Sequence, residues 1–150
     1  MSEEVVSIDL GADWDPNAPS AVLLTNGATT ALALNAHMDD PDQRSVVLYW
    51  VGCHHSSIGG PNDEARSGHR LWGKGLSSVY WIGEVWGSEL VKALERQNSV
   101  HDRHDPARFA DLVHHVVLTK EDTIEVVADS LTVKRIEGST ARAAREAFTS

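Results

Sequence analysis

Residues 113–136, VHHVVLTKEDTIEVVADSLTVKRI, decide the fold class, because they hold three β-branched runs separated by short polar turns. Val113 to Thr119 and Thr123 to Ala128 flank Lys120-Glu121-Asp122, and Asp129-Ser130 leads into Leu131 to Ile136. Runs of this length bounded by turn-forming residues read as strands, and connections this short allow only antiparallel pairing. The spacing predicts a three-stranded meander.

Upstream, Val79 to Trp86 is again aromatic and β-branched and ends at Gly87-Ser88. Ser88 is suited to cap a helix over 88–98, in which Leu90, Val91, Ala93 and Leu94 share one apolar face. Asp105-Pro106 repeats the start signal, since Asp satisfies free amides and Pro lacks the amide that would be unpaired, and it predicts a short helix over 106–112. Arg44 to Cys53 reads as a long buried strand, and Val5 to Leu10 as a first strand closed by Gly11 and the turn-rich segment 13–19. Between them, Ala21 to Thr25 and Ala28 to Asn35 flank Asn26-Gly27, which predicts a hairpin with a type I′ turn.

The expected fold is therefore an α+β domain with an antiparallel, strongly curved sheet or incomplete barrel of about seven to eight strands. One main helix (about 88–98) and a short one (about 106–112) accompany it. Residues 1–137 form the domain and 138–150 a loosely ordered tail or short helix. No period of about 20 to 50 residues repeats, which removes solenoids and propellers.

The chain has 150 residues with 22 acidic and 13 basic side chains, a formal net charge of −9. Such a balance repels polyphosphate backbones, so nucleic acid is not an expected partner. No apolar run approaches the roughly 18 residues a membrane span needs, and Ser2-Glu3-Glu4 is unlike the start of a secretory signal. A single cysteine, Cys53, cannot form an internal disulfide, and a cytoplasmic location follows as the expectation.

Chemistry is sought first in about 25 residues after Cys53 that lack clear periodicity, because long loops in compact domains are commonly functional. This stretch holds His54-His55, Gly59-Gly60-Pro61-Asn62-Asp63-Glu64, His69 and Trp72. The expected site joins Glu84, Glu64, His69 and His115 as acid, base or polarising groups, with Asn62, Asp63, Trp72 and Tyr80 binding the ligand. Alternation puts Glu84 on one strand face with Tyr80, Ile82 and Trp86, where desolvation would suit a carboxylate to general acid or base work. Trp14 and Trp72 sit on segments able to wall a pocket.

Eight histidines fall largely into tight clusters, and His101, His104 and His115 are the candidates for a transition-metal site. Their spacing matches no H-E-x-x-H signature, and adjacent histidines on a strand point to opposite faces. No organic cofactor is predicted: the chain lacks the phosphate-binding loop, the dinucleotide glycine motif and the G-x-S-x-G elbow. Cys53 reads as an inert core thiol rather than a nucleophile.

Three functions stay open. The first is a small-molecule-binding protein or cofactor-independent enzyme with a pocket covered by residues 54–76. The second is an acidic interaction module, a neutraliser or regulatory partner, in which Glu84 would face solvent beside exposed aromatic surface. The third is a histidine-dependent metalloenzyme. Apolar edge strands would also allow a homodimer.

Overall fold

The computed structural model describes residues 2–149. Its elements in chain order are β1 (Glu4–Ser7), β2 (Val22–Thr25), β3 (Thr29–Leu34), β4 (Ser45–Val51), β5 (His55–Gly59) and β6 (Ile82–Trp86). They continue with α1 (Glu89–Asn98), α2 (Pro106–Ala110), β7 (Val113–Leu118), β8 (Thr123–Ala128), β9 (Ser130–Ile136) and α3 (Thr140–Glu146). All strand pairs are antiparallel and form two sheets that do not close: a first of order β1-β6-β7-β8-β5 and a second of order β2-β3-β4-β9. The α+β antiparallel class read from the sequence is the class observed. No helix among the described residues is long and apolar enough to cross a membrane.

The predicted meander holds for β7 and β8 only. A single residue, Asp129, separates β8 from β9, and a hairpin needs about two residues in its loop. The chain therefore bends instead of reversing, and β9 leaves the first sheet to pair with β4 in the second. The neighbouring strand bends at the same place. Val51 of β4 faces Ser130, and His55 of β5 faces Val127, so β4–β5 and β8–β9 make one paired ribbon that turns a corner between the sheets.

Gly52 makes the corner possible. Its φ is +70°, and a side chain there would run into the Asp129 carboxylate, with Cβ 2.6 Å from Cγ. Asp129 N–H donates to Val51 O (3.0 Å) and His54 N–H to Val127 O (2.8 Å), so the bend keeps its backbone bonds.

Two further expectations are corrected. The stretch after Cys53 is not wholly irregular: His55–Gly59 forms β5, whose polar, serine-rich sequence carries no apolar run. The Asn26-Gly27 hairpin exists, but Thr25 faces Thr30, which leaves a four-residue loop in place of a type I′ turn. Gly27 has φ +87° while Asn26 does not adopt positive φ. Asn26 Oδ1 instead accepts from the amides of Ala28 (3.0 Å) and Thr29 (2.8 Å), a side-chain turn that competes with the tighter one.

The main core lies between the sheets, where alternate residues from both meet: Leu32, Leu48 and Trp50 from the second, Ile82, Val117, Ile124 and Val126 from the first, closed by Trp14. Both outer faces are also covered in part. On the second sheet, α3 sets Ala143, Ala144 and Ala147 against Ala31, Ala33 and Val47, small residues that allow close approach. On the first sheet, three 3₁₀ turns (Arg66–Gly68, Trp72–Lys74 and Leu76–Ser78) lay Leu71 and Leu76 over Val5, Val85, Val116 and Leu118. Helices α1 and α2 link β6 to β7, with Ser88 accepting from Val91 N–H and Asp105 from Ala107 N–H at their starts. None of the α1 side chains is fully buried.

The corner gives a direct test. Gly52→Ala forces a side chain into left-handed backbone against Asp129 and is expected to lower stability by about 2 kcal/mol, read as the shift in urea midpoint. An unchanged midpoint would show that the ribbon does not rely on glycine there.

Candidate functional site

Strand alternation fixes which side chains face out from the first sheet. On β7 and β8 the outward set includes His114 and Glu125, while Val126 and Val117 point into the core. Glu125 is the only charged residue of its strand and gathers the polar groups around it. His114 Nε2 lies 2.9 Å from Oε1, Arg70 grips both oxygens (2.6 and 2.9 Å), and His69 Nε2 lies 3.6 Å from Oε2. Burial pushes the Glu125 carboxyl pKa up, but the hydrogen bonds from His114 and Arg70 outweigh it and hold the group well below the ordinary range.

The same burial lowers His69 and His55, against the attraction of Glu125. His69 Nδ1 accepts from Leu71 N–H (3.0 Å), so the neutral ring carries its proton on Nε2, toward the carboxylate. This network pins the 3₁₀ segment to the sheet.

A separate cleft of about 180 Å³ lies where the turn around Trp14 meets the loop after β5 and the β7–β8 turn. Trp14, Tyr80 and Trp81 form its aromatic wall, and Arg66, Asp63 and Lys120 its polar rim. Trp14 is buried with Nε1 donating to Leu118 O (3.0 Å), and it meets Trp81 edge-on at 5.5 Å. Tyr80 is 82% exposed. Two bonds hold the rim: Asp63 N–H to Lys120 O (2.9 Å) and Arg66 Nη2 to Thr119 O (2.8 Å). Arg66 Nε is shielded from solvent yet has no hydrogen-bond partner among the described residues.

The expected site residues divide between these places. Asp63 and Tyr80 come together at the cleft. His69 lies in the Glu125 network instead. Glu84 and His115 face each other across β6 and β7 on the core side of the sheet, away from both. Glu84 is half-buried and accepts from the exposed Trp86 (Nε1 to Oε1, 3.3 Å). His115 is buried, and its Nδ1 accepts from Trp50 Nε1 (3.1 Å). Glu64 is exposed, and Asn62 Oδ1 serves the turn by accepting from Ala65 N–H (3.1 Å). Trp72 packs over the outer face of the first sheet rather than in the cleft.

The histidines named for metal are dispersed. His104 pairs with Glu95 (2.8 Å) and Asn98 (2.8 Å), and His101 Nδ1 accepts from Arg103 N–H. Among the described residues no three His, Cys, Asp or Glu side chains are grouped so as to hold a metal ion. Cys53 is half-buried, taking a bond from Thr30 Oγ1 (3.1 Å). Arg66, Trp81, Arg70 and Glu125 escaped the sequence reading. For Glu125 a signal existed, a lone carboxylate in an apolar strand.

No family model, curated protein or solved structure matches the chain. Fold and cleft thus define its class by geometry alone, an antiparallel two-sheet α+β protein with an aromatic-walled cleft at one margin.

His115 makes stability depend on pH. Burial lowers it from 6.5 to about 4, with His114 adding repulsion, so below pH 6.5 the unfolded chain takes up the proton first. Its contribution is complete above about pH 6.5 and is lost progressively down to about 4, on the order of 3 kcal/mol. His55 and His69 act in the same direction. Urea unfolding at pH 7.5 and 5.0 is expected to show a clear loss in the parent protein and a markedly smaller one in His115→Gln, which keeps an acceptor for Trp50 but does not titrate. Equal losses in both would remove His115 as the cause.

Proposed function

We propose that the protein binds a small planar ligand in the cleft between Trp14, Tyr80, Trp81 and Arg66. The observation that carries this reading is Arg66 Nε, a buried donor with no hydrogen-bond partner among the described residues, on a side chain that lines the cleft with the exposed Tyr80. Leaving such a donor unpaired costs about 1–3 kcal/mol, and an acceptor on a bound ligand would remove that cost. The volume of about 180 Å³ compares with the roughly 150 Å³ in which a benzene ring fits. One ring bearing a carboxylate or carbonyl matches both the size and the donor.

Binding is favoured here over proton-transfer catalysis. Of the two carboxylates at the cleft, Asp63 is exposed and Asp15 accepts from the amides of Ala18 (3.0 Å) and Asn17 (2.8 Å). Those bonds hold the Asp15 carboxyl below its ordinary range and make it a weak base. A second reading, the acidic interaction module, draws on Glu84, which lies half-exposed beside Trp86 rather than desolvated.

Titration with benzoate and with indole-3-carboxylate, followed by the Arg66 Nε–H and Trp81 indole cross-peaks in ¹H–¹⁵N spectra, tests the binding reading. Saturable shifts of both peaks are expected, with affinity reduced about tenfold or more in Arg66→Gln, the loss of one charge-assisted hydrogen bond. Neither probe shifting these peaks at millimolar concentration, or Arg66→Gln binding as well as the parent, would overturn it.

A further inference from the structure

The strand-to-helix turn Trp86-Gly87-Ser88-Glu89 carries a second arrangement, independent of the cleft. Ser88 Oγ lies 2.7 Å from His114 Nδ1, and His114 Nε2 lies 2.9 Å from Glu125 Oε1. The direction of each bond follows from what each group can do. Glu125 is ionised and only accepts, so Nε2 carries the imidazole proton. In the neutral ring Nδ1 is then the acceptor and takes the hydroxyl proton of Ser88. The serine oxygen itself accepts from Val91 N–H (3.1 Å), which leaves its proton free to point at the ring.

We infer that Ser88 is a nucleophile, with His114 as its general base and Glu125 as the positioning residue for the imidazole, acting on small esters with an apolar acyl group. Ser88 is 7% exposed and forms part of the wall of a groove of about 370 Å³ between the β6–β7 end of the first sheet and α1 and α2. Val85, Trp86, Val91, Phe109 and Leu112 make that groove predominantly apolar, which suits a short acyl chain.

Lys92 and Glu84 are the charged residues on the groove wall among the described residues, and Ser88 stands at the N-terminal end of the ten-residue α1. The partial positive charge of that helix end favours the negative charge that develops on the substrate carbonyl oxygen, while Lys92 is paired with Glu89 (3.3 Å). The amide of Glu89 takes no part, because Glu3 Oε2 accepts from it (2.8 Å).

The reaction balances without a cofactor. Ser88 Oγ attacks the carbonyl carbon while its proton passes to His114 Nδ1, and the imidazolium is held by the Glu125 carboxylate. Collapse of the tetrahedral adduct breaks the bond to the alkoxide, which leaves with the proton from Nδ1. Water then attacks the acyl-serine, gives a proton to Nδ1, and releases the carboxylic acid as the proton returns to Oγ. The Arg70 clamp on Glu125 fixes the carboxylate in place for every step.

Because Ser88 also caps α1, its removal must be separated from loss of the cap. Ser88→Asn retains a side-chain oxygen suited to that role without the hydroxyl nucleophile. The purified full chain is treated with phenylmethylsulfonyl fluoride and mapped by peptide mass, and hydrolysis of 4-nitrophenyl butyrate is followed in parallel. One sulfonyl adduct on Ser88, with fluoride released, and a hydrolysis rate lowered at least 100-fold in folded Ser88→Asn are expected. Glu125→Gln is expected to lower the rate with the Michaelis constant little changed. Absence of a Ser88 adduct at millimolar reagent, or an undiminished rate in Ser88→Asn with native circular dichroism, overturns the inference.

Discussion

One bend in a paired ribbon governs the architecture. Strands β4–β5 and β8–β9 turn together at Gly52 and Asp129, and the two sheets are the ribbon's two arms extended by their neighbours. The corner brings Trp50 from one arm against His115 from the other, and Leu48 against Val126 in one core. Remove the bend, and the two sheets would run on as one open sheet with an apolar face and nothing to cover it.

The first sheet carries a charged cluster on its outer face. Glu125 would be costly there alone, and breaking such a buried pair costs more than forming it returns. Its partners Arg70, His69 and His114 come from two regions of the chain, so satisfying one carboxylate fixes the 3₁₀ segment over the sheet. Glu3 repeats the arrangement, joining Lys74 (2.9 Å) to the first amide of α1. Burial raises its carboxyl pKa, but the bonds from Lys74 and Glu89 prevail and hold it below its ordinary value. Electrostatic ties thus position the segment, and Leu71 and Leu76 add the apolar contact.

Local pattern revealed the elements but not their partners. Ser88 and Asp105 marked the starts of α1 and α2 because capping is written in adjacent residues. The β-branched runs of β4, β7, β8 and β9 were legible for the same reason. Strand β5 was not, since HSSIG has neither alternation nor an apolar run and owes its form to pairing with β8. Asp129-Ser130 looked like a hairpin turn because sequence does not show that a single residue must join two sheets. At the cleft, Asp63 and Tyr80 were found through the loop that carries them, whereas Arg66 is distinguished only by a donor left unpaired after folding. Glu84 and Glu125 are both strand carboxylates, and only tertiary packing separates the half-exposed one from the one bound by three partners.

The pairing of β4 with β9 also bears on how the chain matures. As a polypeptide leaves the ribosome, SVVLYWV of β4 is made roughly eighty residues before its partner on that edge, a long-range contact of the kind that slows folding. During that interval only β3 can pair with it, and the opposite edge offers its amides and carbonyls to any passing strand. An apolar, aromatic edge held open in this way is exposed to mispairing, and the arrival of β9 has the character of a seal.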